Sequence, residues 1–261
     1  MTSEIYSEIK GIGHNVVLLH GWGMHGGLWG IFNELLSASC QTHAIDLPGF
    51  GFSKNIENKF TLDSFTDVVE KYIKNLTSPV CVIGWSLGGL IAQNILKRKN
   101  VSVDKVVFVA TTPCFTKKQD WASAMEQTVF NSFSEELKND YKKTLKRFLS
   151  LQIRGSDLAR ESLRELNNKL MERGEPNIKA LEKGLAILSE TDLRHDNIDE
   201  TPAMIILGEK DTLVPVTVKN EFKKMFPNIK QLILEKTGHA PFISNPELCA
   251  ENIKNFIYEK Q

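Results

Sequence analysis

The sequence predicts an α/β protein: a mostly parallel β-sheet flanked by helices, with an α-helical lid inserted into it. Three observations carry this. Short apolar runs rich in β-branched residues alternate with stretches of helical periodicity, the order that builds a parallel sheet. Several of these runs end in Gly-punctuated loops, and open α/β sheets bind ligands beyond the carboxyl ends of their strands. From about Cys114 to Ser189 the alternation stops and only helical patterns remain. The chain therefore divides into a first part of the core at 1–113, a helical lid at 114–189 and a second part of the core at 190–261.

Residues 5–10 read as an edge strand ended by Gly11-Ile12-Gly13. Val16-Val17-Leu18-Leu19 is a buried strand that delivers His20-Gly21-Trp22-Gly23 to the sheet edge, and a helix follows from about Leu28 to Ser37. Thr42–Ile45 is a short strand before the loop Asp46-Leu47-Pro48-Gly49-Phe50-Gly51-Phe52-Ser53. Thr61 suits a helix cap, and Leu62, Phe65, Val68, Val69, Tyr72, Ile73 and Leu76 recur at helical spacing behind it. Val80–Ile83 reads as a buried parallel strand, Gly89–Lys97 as a helix closed by basic residues, and Lys105–Ala110 as the next strand. In the lid, Ser134 is expected to cap a helix with Leu137, Tyr141, Leu145, Phe148 and Gln152 along one face; further helices are expected over 158–170 and from Ile178 to Leu188. Strands return at Ala203–Gly208 and Gln231–Leu234, and a helix from about Pro246 to Tyr258 closes the pattern.

Composition narrows the function. Of 261 residues, 41% are hydrophobic and 25% charged, as in ordinary soluble globular proteins. Lys+Arg 32 balance Asp+Glu 32 with no basic stripe, which argues against nucleic acid as a partner. No apolar run has the ~20 residues of a membrane span, so no membrane partner is expected. The polar start Met1-Thr2-Ser3-Glu4-Ile5-Tyr6 does not read as a secretory signal. Four cysteines without C-x-x-C spacing fit free thiols in a reducing cytoplasm better than a zinc site.

The chemistry is written between strand and helix. Gly84-Trp85-Ser86-Leu87-Gly88 is a G-x-S-x-G pentapeptide in the setting of a nucleophile elbow, where a sharp turn exposes the serine at the strand's end. A serine nucleophile needs a base, and the base an orienting carboxylate. His239, in Gly238-His239-Ala240-Pro241-Phe242, follows the last strand; Asp211 follows the strand ending in Gly208. The chain order Ser86, Asp211, His239 is that of an α/β-hydrolase fold. Asp46 precedes Ser86, breaks that order and is read as a brace for its Pro-Gly loop. His20 is given a structural role, and His14, His25, His43 and His195 are read as surface or loop histidines. The amides of Leu87 and Trp22 are the candidate oxyanion donors, with Gly21 and Gly23 letting the Trp22 loop bend.

Taken together, His20-Gly21-Trp22-Gly23-Met24, Asp46-Leu47-Pro48-Gly49-Phe50-Gly51, Gly84–Gly89, Arg147-Phe148-Leu149-Ser150-Leu151-Gln152 and Gly238–Ser244 resemble the BioH family, the pimeloyl-[acyl-carrier protein] methyl ester esterases of biotin synthesis. The resemblance spans nearly the whole chain. It implies Ser86, Asp211 and His239 as catalytic residues, and Trp22 and Leu87 as oxyanion and substrate contacts. It also implies Phe148, Leu149, Ser150, Leu151 and Gln152 as the wall of the acyl site, with Trp85 expected near its mouth. It implies no metal or organic cofactor, acyl-carrier protein as the partner bearing the substrate, and a cytoplasmic enzyme, taken as a monomer. Hydrolysis would release methanol and expose a free carboxylate, stopping further chain elongation. Residues 114–189 hold 14 Lys+Arg against 11 Asp+Glu. Lys143 (where the family pattern carries arginine), Arg147, Arg160 and Arg164 lie off the apolar faces and are the candidate docking surface for the acidic carrier. The alternatives are a broad short-chain carboxylesterase or a carbon–carbon bond hydrolase of the same fold and, in a different class, a non-catalytic ligand-binding hydrolase fold. Dehalogenase chemistry is disfavoured, because serine rather than aspartate occupies the elbow.

Overall fold

The computed structural model describes residues 5–53, 59–152, 166–196 and 201–259. A seven-stranded sheet is its middle layer: β1 (Ser7–Lys10), β2 (His14–Leu19), β3 (Cys40–Ile45), β4 (Val80–Trp85), β5 (Lys105–Val109), β6 (Ala203–Gly208) and β7 (Lys230–Leu234). The spatial order is β1-β3-β2-β4-β5-β6-β7. β1 runs antiparallel to β3, and every other pairing is parallel. The direction of winding reverses between β2 and β4, the position where open α/β sheets form their ligand crevice. Leu19 lies beside Gly84, and Trp85 beside Val109, so the loops after β2, β4 and β5 leave the sheet at one edge. β4 and β5 are buried from end to end, which is why they read as unbroken apolar runs rather than as alternation.

Helices pack against this sheet in pairs: α1 (Gly30–Ser37) with α9 (Pro246–Tyr258), and α2 (Leu62–Ile73) with α3 (Leu87–Arg98). Thr61 caps α2 as expected. Its hydroxyl accepts the Ser64 N–H while Ser64 Oγ accepts the Thr61 N–H, a reciprocal box worth about 1 kcal/mol. The helix expected from about Leu28 to Ser37 is present as α1, with a 3₁₀ turn, Gly26–Trp29, leading into it. Two short helices, α7 (Val218–Met225) and α8 (Pro241–Ser244), were not anticipated.

The largest correction lies in the inserted segment. The single helix expected to carry Leu137, Tyr141, Leu145 and Phe148 is two helices, α4 (Gln127–Asn139) and α5 (Tyr141–Gln152). Ser134 sits inside α4 and caps nothing. Asp140 leaves helical geometry at φ −155°, and its carboxylate accepts the Lys143 N–H at 3.0 Å, starting α5 afresh. α6 (Ile178–Glu190) follows, capped by Asn177. Of the helix expected over 158–170, residues 166–169 are described and are helical.

Candidate active site

Three close backbone approaches make the elbow at Ser86. A Cβ on Gly84 would stand 2.4 Å from Gly88 O, one on Gly88 2.2 Å from Leu19 O, and one on Gly89 2.4 Å from the Thr111 side chain. Only glycine fits where strand and helix cross this tightly. Ser86 itself is held at φ 54°, ψ −113°, a region that costs a non-glycine residue about 1–3 kcal/mol. The surroundings enforce it: Ser86 N–H donates to Val109 O at 3.0 Å, and Thr111 Oγ1 donates to Ser86 O at 2.7 Å. The serine thus stands at the N-terminus of α3, where helix amides lack intrahelical acceptors and the helix dipole favours negative charge.

Asp211 and His239 form a buried pair, with Nδ1 2.7 Å from Oδ2. The other carboxylate oxygen, Oδ1, accepts the amides of Leu213 at 2.8 Å and Val214 at 3.0 Å. Those two bonds fix the carboxylate plane and leave Oδ2 to accept a hydrogen bond from Nδ1–H. His239 is then the tautomer whose Nε2 carries a lone pair, and Nε2 is buried with no hydrogen-bond partner among the described residues. Both faces of the histidine's backbone are also tied. Its N–H donates to Gln152 O at 2.6 Å, and its carbonyl accepts the Trp85 indole N–H at 2.9 Å.

The loop after β2 lies directly against the elbow, since a Cβ on Gly21 would meet Ser86 Cβ at 3.3 Å. The Gly21 carbonyl and the Trp22 N–H share one planar peptide unit. That carbonyl accepts from Met24 N–H at 3.2 Å and from His20 Nδ1 at 2.8 Å, so the direction of the Trp22 amide is set by its own peptide oxygen. His20 can do this in only one state. Its Nε2 accepts the Leu47 N–H at 2.9 Å, which leaves the proton on Nδ1. Complete burial pushes the imidazole down to about 4, so it stays neutral at physiological pH. The Trp22 ring is fully buried. Its Nε1–H donates to Leu181 O at 2.8 Å in α6, and it meets the Phe148 ring edge-on at 4.8 Å in α5.

Ser86 and His239 line one cavity with Phe115, Met125, Phe130, Phe133, Phe148, Leu185, Leu188 and Leu213. All but Ser86 and His239 are apolar, and most come from the inserted helices. The free volume is only about 10 Å³, roughly the room for one water molecule. Of the five expected wall residues, Phe148 lines this cavity, Leu149 and Gln152 are buried, and Leu151 is half-buried. Ser150 is turned outward, and its hydroxyl donates to Lys146 O within the same helix. Five consecutive helical residues cannot all face one pocket. Trp85 is not at the cavity mouth. It is buried behind the histidine loop, among Trp29 and Phe242.

Lys143 and Arg147 are exposed on α5. Arg147 pairs with Glu136 and lies 5.0 Å over the Phe133 ring, so it is tethered rather than simply solvated. Arg160 and Arg164 lie outside the described residues. Of the histidines read as surface or loop residues, His43 is instead buried within β3, where it bonds Tyr72 Oη and Asn15, and His25 does lie in a loop but is buried there, bonding Lys169 O. Sequence reasoning also passed over Arg173, which is buried against Asp46 and Glu8. Nothing in the run Met171-Glu172-Arg173-Gly174 distinguishes it from a solvated charge. Among the described residues no group of three or more His, Cys, Asp or Glu side chains is placed to hold a metal ion.

Comparison with known proteins identifies the family. The α/β-hydrolase fold model matches residues 14–246. A pimeloyl-[acyl-carrier protein] methyl ester esterase of Nitrosospira multiformis is 36% identical over 97% of this chain and 98% of its own. The protein of that name from Xanthomonas axonopodis pv. citri is 37% identical, again over 97% and 98%. In structure, a bromoperoxidase from Bacillus anthracis superposes with a TM-score of 0.90 at 25% identity, covering 98% of this chain and 96% of that one. An esterase from Exiguobacterium antarcticum, at 22% identity, shares the fold with a TM-score of 0.89 over 98% and 96%. With a fold model matched over most of its length and relatives above one-third identity from end to end, the chain belongs to the α/β-hydrolase fold family and, within it, to the pimeloyl-[acyl-carrier protein] methyl ester esterases.

Proposed function

We propose that this chain is a serine esterase that hydrolyses the methyl ester of a pimeloyl group carried on acyl-carrier protein, a step of biotin biosynthesis. One observation carries the chemistry: the Asp211–His239 bond leaves a buried, unpartnered Nε2 in the same apolar cavity as Ser86. In this reading His239 Nε2 takes the Ser86 proton as Oγ attacks the ester carbonyl. The Trp22 and Leu87 amides receive the oxyanion. The imidazolium then protonates the departing methoxide, and methanol leaves. Water, deprotonated by His239, attacks the acyl-enzyme and releases the acid. Asp211 holds the tautomer and stabilises the imidazolium throughout. Side chains and backbone amides of this chain, with water, serve every step, so no metal or organic cofactor is invoked. The four cysteines are free and buried, which supports a reducing compartment such as the cytoplasm. Catalysis calls for a single copy of the chain.

The decisive test is growth of a biotin-requiring strain that lacks this esterase step. Expression of the chain should restore growth, and failure of an expressed, folded protein to do so would sink the pimeloyl reading. Methanol release from the carrier-bound ester should run well ahead of release from simple short-chain esters. Equal rates would favour a broad carboxylesterase.

The acyl site makes its own prediction. Phe148 contacts Trp22 and, at 5.7 Å, Phe133, and it lines the cavity. Phe148→Ala should weaken a medium-chain ester relative to an acetyl ester by about 1–3 kcal/mol in kcat/KM, the range for lost hydrophobic pocket contacts. Equal losses on both esters would instead mean collapse of the helical cover.

The carrier makes another. Reversing Arg147, Arg160 and Arg164 to Glu should lower kcat/KM for the carrier-bound ester on the order of tenfold, through slower encounter. A small free ester should barely respond. Added salt should reproduce the first effect in the wild type, because exposed charges are screened within about 10 Å at 0.1 M. If the triple variant loses both activities equally, or neither, the docking surface lies elsewhere.

A further inference from the structure

We propose that Arg173 is a positioning residue for the oxyanion site: by seating its segment on Asp46, it sets the peptide that carries the Trp22 N–H. The inference rests on the reading of that N–H as an oxyanion donor.

The cluster is a built one. Arg173 Nη1 donates to Asp46 Oδ1 at 3.0 Å, and Nη2 donates to Glu8. The guanidinium lies 5.1 Å from the Tyr6 ring centroid and 5.6 Å from that of Phe52. Asp46 is fully buried and also accepts the amides of Gly26 at 2.7 Å and Phe52 at 2.8 Å. Glycines form the cradle. A Cβ on Gly51, at φ +52°, would come 2.1 Å from Asp46 Oδ2, and one on Gly27 would come 2.9 Å from Arg173 Nε. A second tie runs alongside. Gly27 N–H donates to His25 Nδ1, so the proton sits on Nε2, which donates to Lys169 O at 2.8 Å.

From this cluster a short chain of bonds leads to the elbow. The residue after Asp46 is Leu47, whose N–H donates to His20 Nε2. His20 Nδ1–H donates to the Gly21 carbonyl, and that carbonyl shares its plane with the Trp22 N–H. Every link has a fixed donor and a fixed acceptor. Replacing a buried charge cluster by apolar side chains of similar volume is often neutral or stabilising. Stability alone therefore does not account for one cation held between two carboxylates. What the cluster supplies is a directional anchor: it places the Asp46-Leu47 backbone, hence the imidazole, hence the amide.

The test uses the full chain and a chromogenic acetyl ester, whose short acyl group asks little of the apolar cavity. Arg173→Ala should lower kcat about 10- to 100-fold with KM near wild type, somewhat less than outright loss of an oxyanion donor. Methylguanidinium added to that variant should recover part of the lost kcat, and Arg173→Lys should fall in between. His20→Leu tests the oxyanion reading by itself and should also lower kcat. If His20→Leu leaves kcat unchanged, the Trp22 reading fails whatever Arg173 does. If His20→Leu lowers kcat but Arg173→Ala raises only KM, the oxyanion reading stands and the Arg173 link is overturned. Should Arg173→Ala not fold, Arg173→Lys decides. A folded Lys variant with wild-type kcat overturns the proposal, and one with reduced kcat and unchanged KM supports it.

Discussion

Ser86→Ala is expected to lower ester turnover by about 10⁶-fold, the scale seen when the nucleophile of a serine hydrolase triad is removed. The fold should survive. Alanine keeps the Cβ that packs on Gly21, and the strained backbone at φ 54° is held by bonds from Ser86 N–H and to Ser86 O, neither of which involves the hydroxyl. The loss should therefore appear in kcat at unchanged thermal stability, together with loss of labelling by a serine-directed fluorophosphonate. Normal turnover by the folded variant would remove Ser86 from the mechanism.

Asp211→Asn should cost about 10⁴-fold in turnover, the precedent for a triad carboxylate made neutral. The structure gives the reason. Leu213 and Val214 amides require an acceptor at Oδ1, so the asparagine amide nitrogen is driven to the Oδ2 position, facing His239. Two donors cannot share that contact. The imidazole would shift its proton to Nε2 and present no base to Ser86. Asp46→Asn disturbs the Arg173 cluster instead, and its loss should be far smaller. If the folded Asp46 variant were the more damaged of the two, the carboxylate assignment would be reversed.

How much was legible in the sequence followed from how local the signals were. The elbow could be read because its constraints are neighbours in the chain: a buried β-branched run, a serine between glycines, then a helix. Asp211 and His239 could be read because each follows a strand. The break at Asp140 was missed because Tyr141, Leu145 and Phe148 keep helical spacing with Leu137 across it. The capping signal was nonetheless present in an aspartate three residues before Lys143. Trp85 was placed on the wrong side because it is the last residue of β4, where side chains alternate between faces, so the tryptophan and the serine diverge. Arg173 was out of reach for a different reason. Its partners stand 127 and 165 positions away in the chain, and no periodicity links a lid arginine to a strand-end aspartate.

The near-filled cavity beside Ser86 has a thermodynamic consequence. Space for roughly one water cannot hold an acyl chain, so any conformation that binds an acyl chain there must differ from this one in its lining side chains. The apparent dissociation constant is then the intrinsic one divided by the competent fraction. A chain that spends one part in a hundred open would bind about a hundredfold more weakly than its contacts allow. Anything that shifts that population, whether a smaller side chain among Phe130, Phe133 and Phe148 or a carrier protein that favours the open form, would change KM without touching the triad.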